Sequence, residues 1–313
     1  NSSMIKIGSY KMIVGIDLGT TNSLVGVYQD GQVKLIPNAF GEFLTPSVVA
    51  LDDNDEIIVG KIAKERLVTH PDKTLAQFKR FMGSKHELVL GDKTYKAEEL
   101  SSFIIRKLVD DAETFLGEKV DEVIVSVPAY FNDAQRYATK LAGQFAGVKI
   151  ERIINEPSAA ALAKKSMSNQ EDQSFVVVDF GGGTLDISVV ELFDNVVEIV
   201  SIAGDNRLGG EDFTAAIAEE FLTSNHLSRK SISREFYSKI LVQAEKAKLN
   251  LNTNEEVKMV VMDQEKEYSL DLTYQRFYEL CQPLLARLKS VLDRALMDAR
   301  YSYVSSENVV LVG

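Results

Sequence analysis

The sequence has little cysteine, tryptophan or proline, and it lacks long apolar runs. Its 313 residues include 1 Cys, no Trp and 6 Pro. A single cysteine excludes an intramolecular disulfide and a cysteine-rich zinc site. No uninterrupted apolar stretch approaches the roughly 18 residues that a membrane-spanning helix needs, and residues 1–6 contain neither a signal-peptide core nor a cleavage site. These absences predict a cytoplasmic protein without a membrane partner.

Positive charge is also scarce. Lys and Arg total 35 against 46 Asp and Glu, which gives a formal net charge of −11, and no basic run is present. This balance argues against nucleic acid as a partner. With 45% apolar and 26% charged residues, the composition is that of an ordinary globular protein.

The length predicts two lobes, because 313 residues are about twice a typical domain of ~150 residues. The polar stretch at 166–174 is the natural boundary between them. We therefore predict lobe I over residues 12–168 and lobe II over residues 169–313.

Hydrophobic periodicity predicts an α/β chain. Strands are predicted at 12–17, 24–28, 33–36, 47–51, 57–59, 123–127, 150–154, 175–179, 186–192, 196–203 and 309–312, with a hairpin at 256–272. Asp30-Gly31 predicts a hairpin turn between the second and third of these strands. Helices are predicted at 62–69, 74–82 and 97–117, from Asn132 onwards, and at 156–165, 212–224, 233–250 and 272–300. Cys281 lies on the apolar stripe of the last helix and should be buried, whereas His70, His86 and His226 match no metal-ligand spacing and should lie at the surface.

Two stretches of the sequence resemble each other. Residues 14–21 read Val-Gly-Ile-Asp-Leu-Gly-Thr-Thr, and residues 177–184 read Val-Val-Asp-Phe-Gly-Gly-Gly-Thr. Each is an apolar strand that ends in Asp and continues through a glycine-containing turn and a Thr into a second apolar strand. We interpret the pair as an internal repeat of about half the chain.

The repeated turns are suited to phosphate. Glycine has no Cβ, so the backbone can approach an anion and successive N–H groups can point into one concavity. Hydroxyl donors and carboxylates that could hold a hydrated Mg²⁺ through its waters accompany them: Thr20, Thr21, Thr184, Asp17, Asp179 and Asp186. Glycine pairs are common in ordinary turns as well, and it is the repetition after two apolar strands that favours phosphate binding.

Two other nucleotide motifs are absent. Gly60-Lys61 is followed by Ile62 and lacks the upstream glycine of a P-loop. A Rossmann fingerprint is excluded because Asp186 stands where its third glycine would be. The stretch 204–213 is a further glycine-containing turn before a helix, and by itself it is equally typical of a helix cap.

Five stretches of this sequence resemble signatures of the Hsp70 chaperone ATPase domain. They are 16–23 (Ile-Asp-Leu-Gly-Thr-Thr-Asn-Ser), 127–133 (Val-Pro-Ala-Tyr-Phe-Asn-Asp), 155–161 (Asn-Glu-Pro-Ser-Ala-Ala-Ala), 179–186 (Asp-Phe-Gly-Gly-Gly-Thr-Leu-Asp) and 204–213. Together the matches span residues 12–313 in the family's order, and the phrases at 35–38 and 70–74 are most similar to its bacterial HscC-type branch. The resemblance implies an actin-like, ribonuclease H-like α/β fold of two lobes with ATP or ADP and Mg²⁺ in the central cleft, and it also allows a K⁺ ion.

The resemblance also implies roles for individual residues. It places Lys79 beside the γ-phosphate and makes the catalytic set Lys79, Asp17, Glu156, Asp179 and Thr184. It assigns the metal to Asp17, Asp179, Asp186 and Glu156. It assigns nucleotide contacts to Gly19, Thr20, Thr21, Asn22, Gly181, Gly182, Gly183, Gly209, Gly210, Glu211, Glu245, Lys248 and Asn252, and it matches Pro128 and Arg136 to the pair that relays nucleotide state. Asn252 and Leu185 depart from the family, which usually has Ser and Phe there.

The implied activity is hydrolysis of ATP to ADP and phosphate by in-line attack of water, which relies on positioning and charge neutralisation. In the family this controls the affinity of a C-terminal domain for client peptides, with a J-domain co-chaperone and a nucleotide exchange factor as partners. We expect that domain, and the C-terminal part of lobe II, to lie outside this sequence. Two alternatives stay open: a small-molecule kinase of the actin-like superfamily, and a nucleotide-sensing module that does not hydrolyse ATP.

Overall fold

The structure is a computed structural model that describes residues 11–165, 173–193, 196–301 and 308–313. The chain divides into two compact units: unit 1 comprises Asn1–Arg66 and Asp72–Glu156, and unit 2 comprises Leu67–Pro71 and Pro157–Gly313. Both units mix helices and strands, as periodicity predicts. The predicted boundary at 168 lies outside the described residues and stays a prediction.

Unit 1 is built mainly from strands. They are β1 (Ile13–Asp17), β2 (Asn22–Gln29), β3 (Gln32–Leu35), β4 (Thr45–Pro46), β5 (Val48–Leu51), β6 (Ile57–Val59), β7 (Thr74–Ala76), β8 (Leu88–Leu90), β9 (Lys93–Tyr95), β10 (Glu122–Val127) and β11 (Ile150–Asn155). Its helices are α2 (Ala97–Leu116) and α3 (Asp133–Phe145), and α1 (Lys61–Thr69) begins in this unit and ends in the residues assigned to unit 2.

The main sheet of unit 1 has the order β11-β10-β1-β2-β3, with β4 added to β2. β1, β10 and β11 run parallel, while β2 and β3 return antiparallel as a meander. The predicted turn between β2 and β3 is present, with Asp30 and Gly31 at φ 55° and 77°. Two left-handed residues in succession match the twist of a two-residue hairpin, which explains why Asp-Gly is favoured there.

Helices α2 and α3 cover one face of this sheet. Gly117 ends α2 in the left-handed conformation and donates its N–H to the Glu113 carbonyl at 2.9 Å. Asn132 caps α3 as predicted, because its side chain accepts from the Gln135 N–H at 2.9 Å. One apolar cluster joins these helices to β1, β2 and β10, and it forms the core of unit 1.

Unit 2 contains a second sheet, a hairpin and four helices within the residues described. These elements are α4 (Glu156–Lys165), β12 (Gln173–Phe180), β13 (Leu185–Phe193), β14 (Val196–Asp205), α5 (Gly210–Ser224), α6 (Arg234–Asn250), β15 (Glu256–Asp263), β16 (Lys266–Thr273), α7 (Tyr274–Asp298) and β17 (Val309–Val312).

The sheet of unit 2 has the order β14-β13-β12-β17, with antiparallel β12, β13 and β14 and with β17 parallel to β12. One face packs against α7 through Val291 and Ala295, and the other packs against α4 through Ala161. The strand order and directions repeat those of β10-β1-β2-β3 in unit 1. The internal repeat inferred from sequence is therefore confirmed in the topology.

One predicted helix is wrong. Residues 74–82 form β7, which pairs with β5, followed by a 3₁₀ turn at Phe78–Phe81. The spacing of Leu75, Phe78 and Met82 imitates a helical face, but pairing with β5 and the left-handed Gln77 (φ 59°) break the helix. The sequence prediction also omitted β4 and the short hairpin β8–β9, because short strands carry little periodic signal.

The other predicted helices and strands are present, with ends shifted by a few residues. Cys281 is buried, as expected, and burial raises the pKa of its thiol to about 11. Of the polar stretch predicted to be structureless, Gln173 and Ser174 belong to β12, and 166–172 lie outside the described residues. In the part of the chain that the structure describes, no helix is long and apolar enough to cross a membrane.

Candidate functional site

The turn between β1 and β2, residues 18–21 and here called the first turn, lies at the end of the central strand of unit 1. Gly19 is required there because a Cβ at this position would approach the Asn22 carbonyl oxygen to 1.9 Å. Asp17 ends β1 with an exposed side chain, and its Oδ1 accepts a hydrogen bond from Ser126 Oγ at 3.2 Å. The predicted carboxylate and the predicted turn are therefore adjacent and accessible.

Two buried serines hold the first turn. Gly19 N–H donates to Ser23 Oγ at 3.1 Å, and Ser47 Oγ–H donates to the Gly19 carbonyl at 2.8 Å. The two hydroxyl oxygens lie 2.8 Å apart, and because the Ser47 proton is engaged, Ser23 is the donor between them. The result is a closed ring of three hydrogen bonds, here called the serine ring. The sequence reasoning assigned no role to Ser23 or Ser47.

The last residue of the first turn, Thr21, is also held through its backbone. The Thr21 carbonyl accepts from Ser47 N–H at 2.9 Å. Thr21 Oγ1 is buried and has no hydrogen-bond partner within the described residues. Thr20 is half-buried in the same turn, and Asn22 begins β2.

Lys79 lies in the 3₁₀ turn Phe78–Phe81 and is nearly buried. Its Nζ is 3.2 Å from Glu156 Oε1, with 9% and 15% of the two side chains exposed. The ammonium also lies 5.6 Å from the centre of the Phe131 ring. Two opposite charges with so little exposure are costly to bury unless each compensates the other. The structure thus brings the predicted Lys79 and Glu156 together.

Arg136 forms hydrogen bonds with two residues that adjoin this pair. Its Nη2 donates to Asn155 Oδ1 at 2.7 Å, and its Nε donates to the Phe131 carbonyl at 2.9 Å. Asn155 immediately precedes Glu156, and Phe131 lies beneath the Lys79 ammonium. Arg136 therefore holds a residue on each side of the Lys79–Glu156 pair. These contacts are a physical path for the relay role that the resemblance implies. The Pro128 carbonyl accepts from Phe131 N–H at 3.1 Å in the same loop.

The turn between β12 and β13, residues 181–184 and here called the second turn, rests on the start of α5. Gly210 N–H donates to the Gly181 carbonyl at 3.0 Å, and Glu211 N–H donates to the Gly182 carbonyl at 2.7 Å. Because C=O and N–H of one trans peptide point in opposite directions, the N–H groups of Gly182 and Gly183 are directed away from α5. The start of α5 therefore occupies the carbonyl side of the second turn, and the Gly182 amide is directed to the side on which an anion would bind.

Gly209 allows this contact. Its backbone is extended, which any residue can adopt, but a Cβ there would lie 2.4 Å from Gly183 N and 2.5 Å from the Gly182 carbonyl. Asp212 completes the cap by accepting the Gly209 N–H at 2.8 Å. Three predicted glycines of the second turn and the predicted Gly209–Glu211 segment thus form one packed backbone unit, and the amides of Gly210 and Glu211 are used inside it.

Asp179 and Asp186 lie opposite each other on the neighbouring strands β12 and β13. They are direct partners in the antiparallel register of β12 and β13, at the end next to the second turn. The structure thus places two of the predicted metal carboxylates next to each other. Carboxylate oxygens are the donors that Mg²⁺ prefers, and the pair fits a hydrated Mg²⁺ held through its waters. Among the described residues, no three His, Cys, Asp or Glu side chains form a cluster suited to direct metal ligation.

Gly204 and Asp205 lie at the end of β14, beside this carboxylate pair. A Cβ on Gly204 would come within 2.7 Å of Asp186 Oδ1, so glycine leaves room for that carboxylate. Burial alone would raise the pKa of Asp205, but the Arg207 N–H and the Arg287 guanidinium bind its carboxylate, and their combined effect lowers that pKa. Asp205 thereby anchors the loop that leads to Gly209.

Glu245 and Lys248 lie one turn apart on α6 and both reach the start of α5. Lys248 Nζ lies 2.8 Å from Glu245 Oε2 and donates to the Gly210 carbonyl at 2.9 Å. It also donates to Thr214 Oγ1 at 2.9 Å. The structure joins the predicted Glu245, Lys248 and Gly210, and it adds Thr214, which the sequence reasoning missed because nothing in a lone helical threonine indicates its partners.

Asn252 is exposed just after α6. It lines a cleft of about 640 Å³ with residues of the turn 251–256 and the segment 273–275. Neither Glu245 nor Lys248 lines this cleft. The predicted role of Asn252 beside the adenine base therefore stays a prediction.

The comparisons with known proteins agree with the resemblance. A family model described as "Hsp70 protein" matches residues 13–313. The chaperone protein DnaK of Thermotoga neapolitana is 39% identical over 315 aligned positions, which cover 97% of this chain and 53% of that protein. The chaperone protein DnaK of Thermotoga petrophila gives the same identity and the same coverage. The chain spans about half the length of the curated relatives it matches.

Proposed function

Because the chain belongs to the Hsp70 family, we propose that it binds ATP with Mg²⁺ and hydrolyses the ATP to ADP and phosphate, as the ATPase domain of a chaperone. The family has the actin-like, two-lobe α/β fold predicted from the sequence. The HscC-type branch stays a prediction.

The second turn carries the proposal most directly. Its carbonyls are bound by the first amides of α5, so its own amides are directed to the other side, next to Asp179 and Asp186. Outward amides beside two carboxylates suit a phosphate group accompanied by a divalent cation. The first turn is similar, because Ser47 binds the Gly19 carbonyl and the exposed Asp17 ends the strand before it.

Mg²⁺ would neutralise phosphate charge as the terminal phosphoryl group leaves, and Asp17, Asp179, Asp186 and Glu156 are the residues proposed to hold its hydration shell. Gly19–Asn22 and Gly181–Thr184 bind the phosphates in this proposal. Gly209, Gly210 and Glu211 support the second turn from behind, and Glu245, Lys248 and Asn252 bind the adenosine.

Lys79 supplies the transition-state charge in this proposal. Only 9% of its side chain is exposed, which keeps the ammonium away from bulk water. In such a water-poor place a fixed cation stabilises developing phosphate charge more strongly than it would in water. Glu156 keeps that charge compensated before nucleotide arrives. Arg136 binds Asn155, the residue before Glu156, so a shift of Glu156 would also displace Arg136.

The experiment is a single-turnover assay with radiolabelled ATP and excess protein, run with Mg²⁺, with EDTA, and with a panel of sugars and carboxylic acids. We expect Mg²⁺-dependent release of inorganic phosphate that no metabolite diverts. Transfer of label to a metabolite would establish the kinase alternative, which the family match disfavours. ATP that stays intact while ADP binds tightly would establish a nucleotide sensor and overturn hydrolysis.

Wider features of the family enter as proposals as well. They comprise a K⁺ ion at the phosphates, a J-domain co-chaperone, a nucleotide exchange factor, and client peptides bound by a further domain whose affinity follows nucleotide state. The cytoplasmic location stays a prediction from the sequence.

A further inference from the structure

Thr214 is a buried residue near the start of α5, with 6% of its surface exposed. A threonine in a helix commonly bonds only the carbonyl four residues earlier. Thr214 Oγ1 does lie 3.2 Å from the Gly210 carbonyl, but it also donates to Glu245 Oε2 and accepts from Lys248 Nζ at 2.9 Å. One hydroxyl therefore links α5 to two charged residues of α6.

The Lys248 ammonium is held in a fixed place by this arrangement. It has three N–H donors, and three acceptors lie within reach: the Gly210 carbonyl, Thr214 Oγ1 and Glu245 Oε2, at 2.9, 2.9 and 2.8 Å. Thr214 is the only side chain that binds both members of the pair within the described residues. Without its hydroxyl, Lys248 would keep two partners and Glu245 would lose the one donor that lies on another helix.

We infer that Thr214 is a positioning residue that holds the Glu245–Lys248 pair in the orientation needed to bind the nucleoside of ATP and ADP. The inference rests on the proposed function, because it assumes that Glu245 and Lys248 contact nucleotide. Two long side chains on one helix have many rotamers, and fixing them before binding lowers the entropy cost of association. A hydroxyl that removes this freedom contributes to affinity without touching the ligand.

The position of Thr214 predicts which kinetic parameter it affects. Its partners Glu245 and Lys248 lie on α6, whereas the residues proposed for chemistry lie on other elements. Loss of the hydroxyl should therefore raise KM and leave kcat close to the wild-type value, the pattern of lost uniform binding. Losing a hydrogen bond to a charged group corresponds to roughly tenfold in affinity.

The test compares Thr214→Val, which keeps the shape and removes the hydroxyl, with Thr214→Ser, which keeps it. The matched control is Thr139→Val, since Thr139 is 1% exposed and its hydroxyl bonds only the Gln135 carbonyl at 2.9 Å. The dissociation constant for Mg·ADP is measured by calorimetry, and KM and kcat for ATP by phosphate release. The reactivity of Lys248 toward an amine-reactive ester, followed by mass spectrometry without nucleotide, reports on the lysine itself.

We expect Thr214→Val to raise both the Mg·ADP dissociation constant and KM about tenfold, to leave kcat within about twofold, and to increase Lys248 labelling. Thr214→Ser and Thr139→Val should behave as wild type. Unchanged labelling in Thr214→Val would show that the hydroxyl does not hold Lys248 and would overturn the inference. Increased labelling with unchanged affinity would overturn its functional part. Wild-type protein that binds no ADP would overturn the proposed function itself, and labelling would still show whether Thr214 fixes the lysine.

Discussion

The two strand–turn–strand repeats share length and register, yet they are stabilised by different means. Asp17 pairs with Leu24 across the first turn, and Asp179 pairs with Asp186 across the second, so each Asp has the same register, although the second ladder adds the pair Phe180–Leu185. In unit 1 the serine ring holds the turn through side chains. In unit 2 the backbone of α5 holds it, through amides donated to the turn's carbonyls.

The difference shows that the carbonyls of such a turn can be fixed either by side chains or by the backbone of a helix. Once carbonyls are bound on one side, planar peptides direct their amides to the other. The second repeat also has a carboxylate where the first has Leu24, which concentrates negative charge in unit 2. We therefore expect the proposed metal to depend more on unit 2, whereas Lys79, the cation proposed for catalysis, lies in unit 1.

The largest predicted effect concerns Lys79, which lies in the 3₁₀ turn Phe78–Phe81, outside the strand–turn–strand repeats. Lys79→Ala should lower the single-turnover rate of ATP hydrolysis by ~10²-fold or more, because a buried cation stabilises transition-state charge, while ADP affinity changes little. The matched control is Lys107→Ala, which removes a lysine paired with the partly buried Asp111 of α2. A wild-type rate in Lys79→Ala would refute the proposed role.

The next effect tests how unit 2 holds its turn. Gly209→Ala places a Cβ against backbone atoms of Gly182 and Gly183, which cannot move aside as a side chain could. Overpacking of this kind lowers the free energy of unfolding by about 1–3 kcal/mol. It should also weaken Mg·ADP binding, because the second turn must shift. Differential scanning calorimetry and titration calorimetry measure the two effects.

Gly15→Ala is the control for Gly209→Ala, since the nearest atom to a Cβ at Gly15 is the Gly26 carbonyl oxygen at 4.0 Å. It should change neither the melting temperature nor the affinity appreciably. Equal behaviour of the two variants would mean that the contact between α5 and the second turn does not stabilise unit 2.

A smaller effect concerns the metal. Asp179→Asn and Asp186→Asn should each raise the Mg²⁺ concentration for half-maximal turnover several-fold, and Asp17→Asn should do so less, because it lacks a paired carboxylate across the turn. Asp110→Asn removes the same charge from the exposed face of α2 and serves as the control. Unchanged Mg²⁺ titrations for all three variants would exclude these carboxylates from the metal site.

The sequence was sufficient for the features that repeat or have local signals. The Asp-Gly hairpin, the Asn132 cap and the two glycine turns each depend on a few adjacent residues, and the structure contains them all. Repetition of the turns also predicted matching sheets in the two units. Lys79 and Glu156 were paired only through the family resemblance, since nothing local joins residues so far apart in the chain.

What the sequence could not predict depends on contacts between distant segments. Residues 74–82 have helical spacing but pair with β5, and tertiary pairing overrides local preference. Ser47 reaches Gly19 only after β4 has joined β2, and Thr214 meets Lys248 only after α5 has packed on α6. Ser23 lies inside the motif at 16–23, and its position directly after the turn is the one signal that could have indicated a bracing role.

The smallest predicted effect tests the serine ring, the feature that most distinguishes the first repeat. Ser23→Ala and Ser47→Ala each break the ring and leave one group of Gly19 without its partner, so each should lower the free energy of unfolding by about 0.5–1.5 kcal/mol, the net contribution of a neutral hydrogen bond. The double variant should cost less than the sum of the two, because the second substitution removes a hydroxyl whose ring is already open. Ser101→Ala is the control, since its buried hydroxyl has no partner among the described residues and its loss should be neutral. Chemical denaturation of the four variants measures the coupling, and strictly additive losses would show that the two serines act independently.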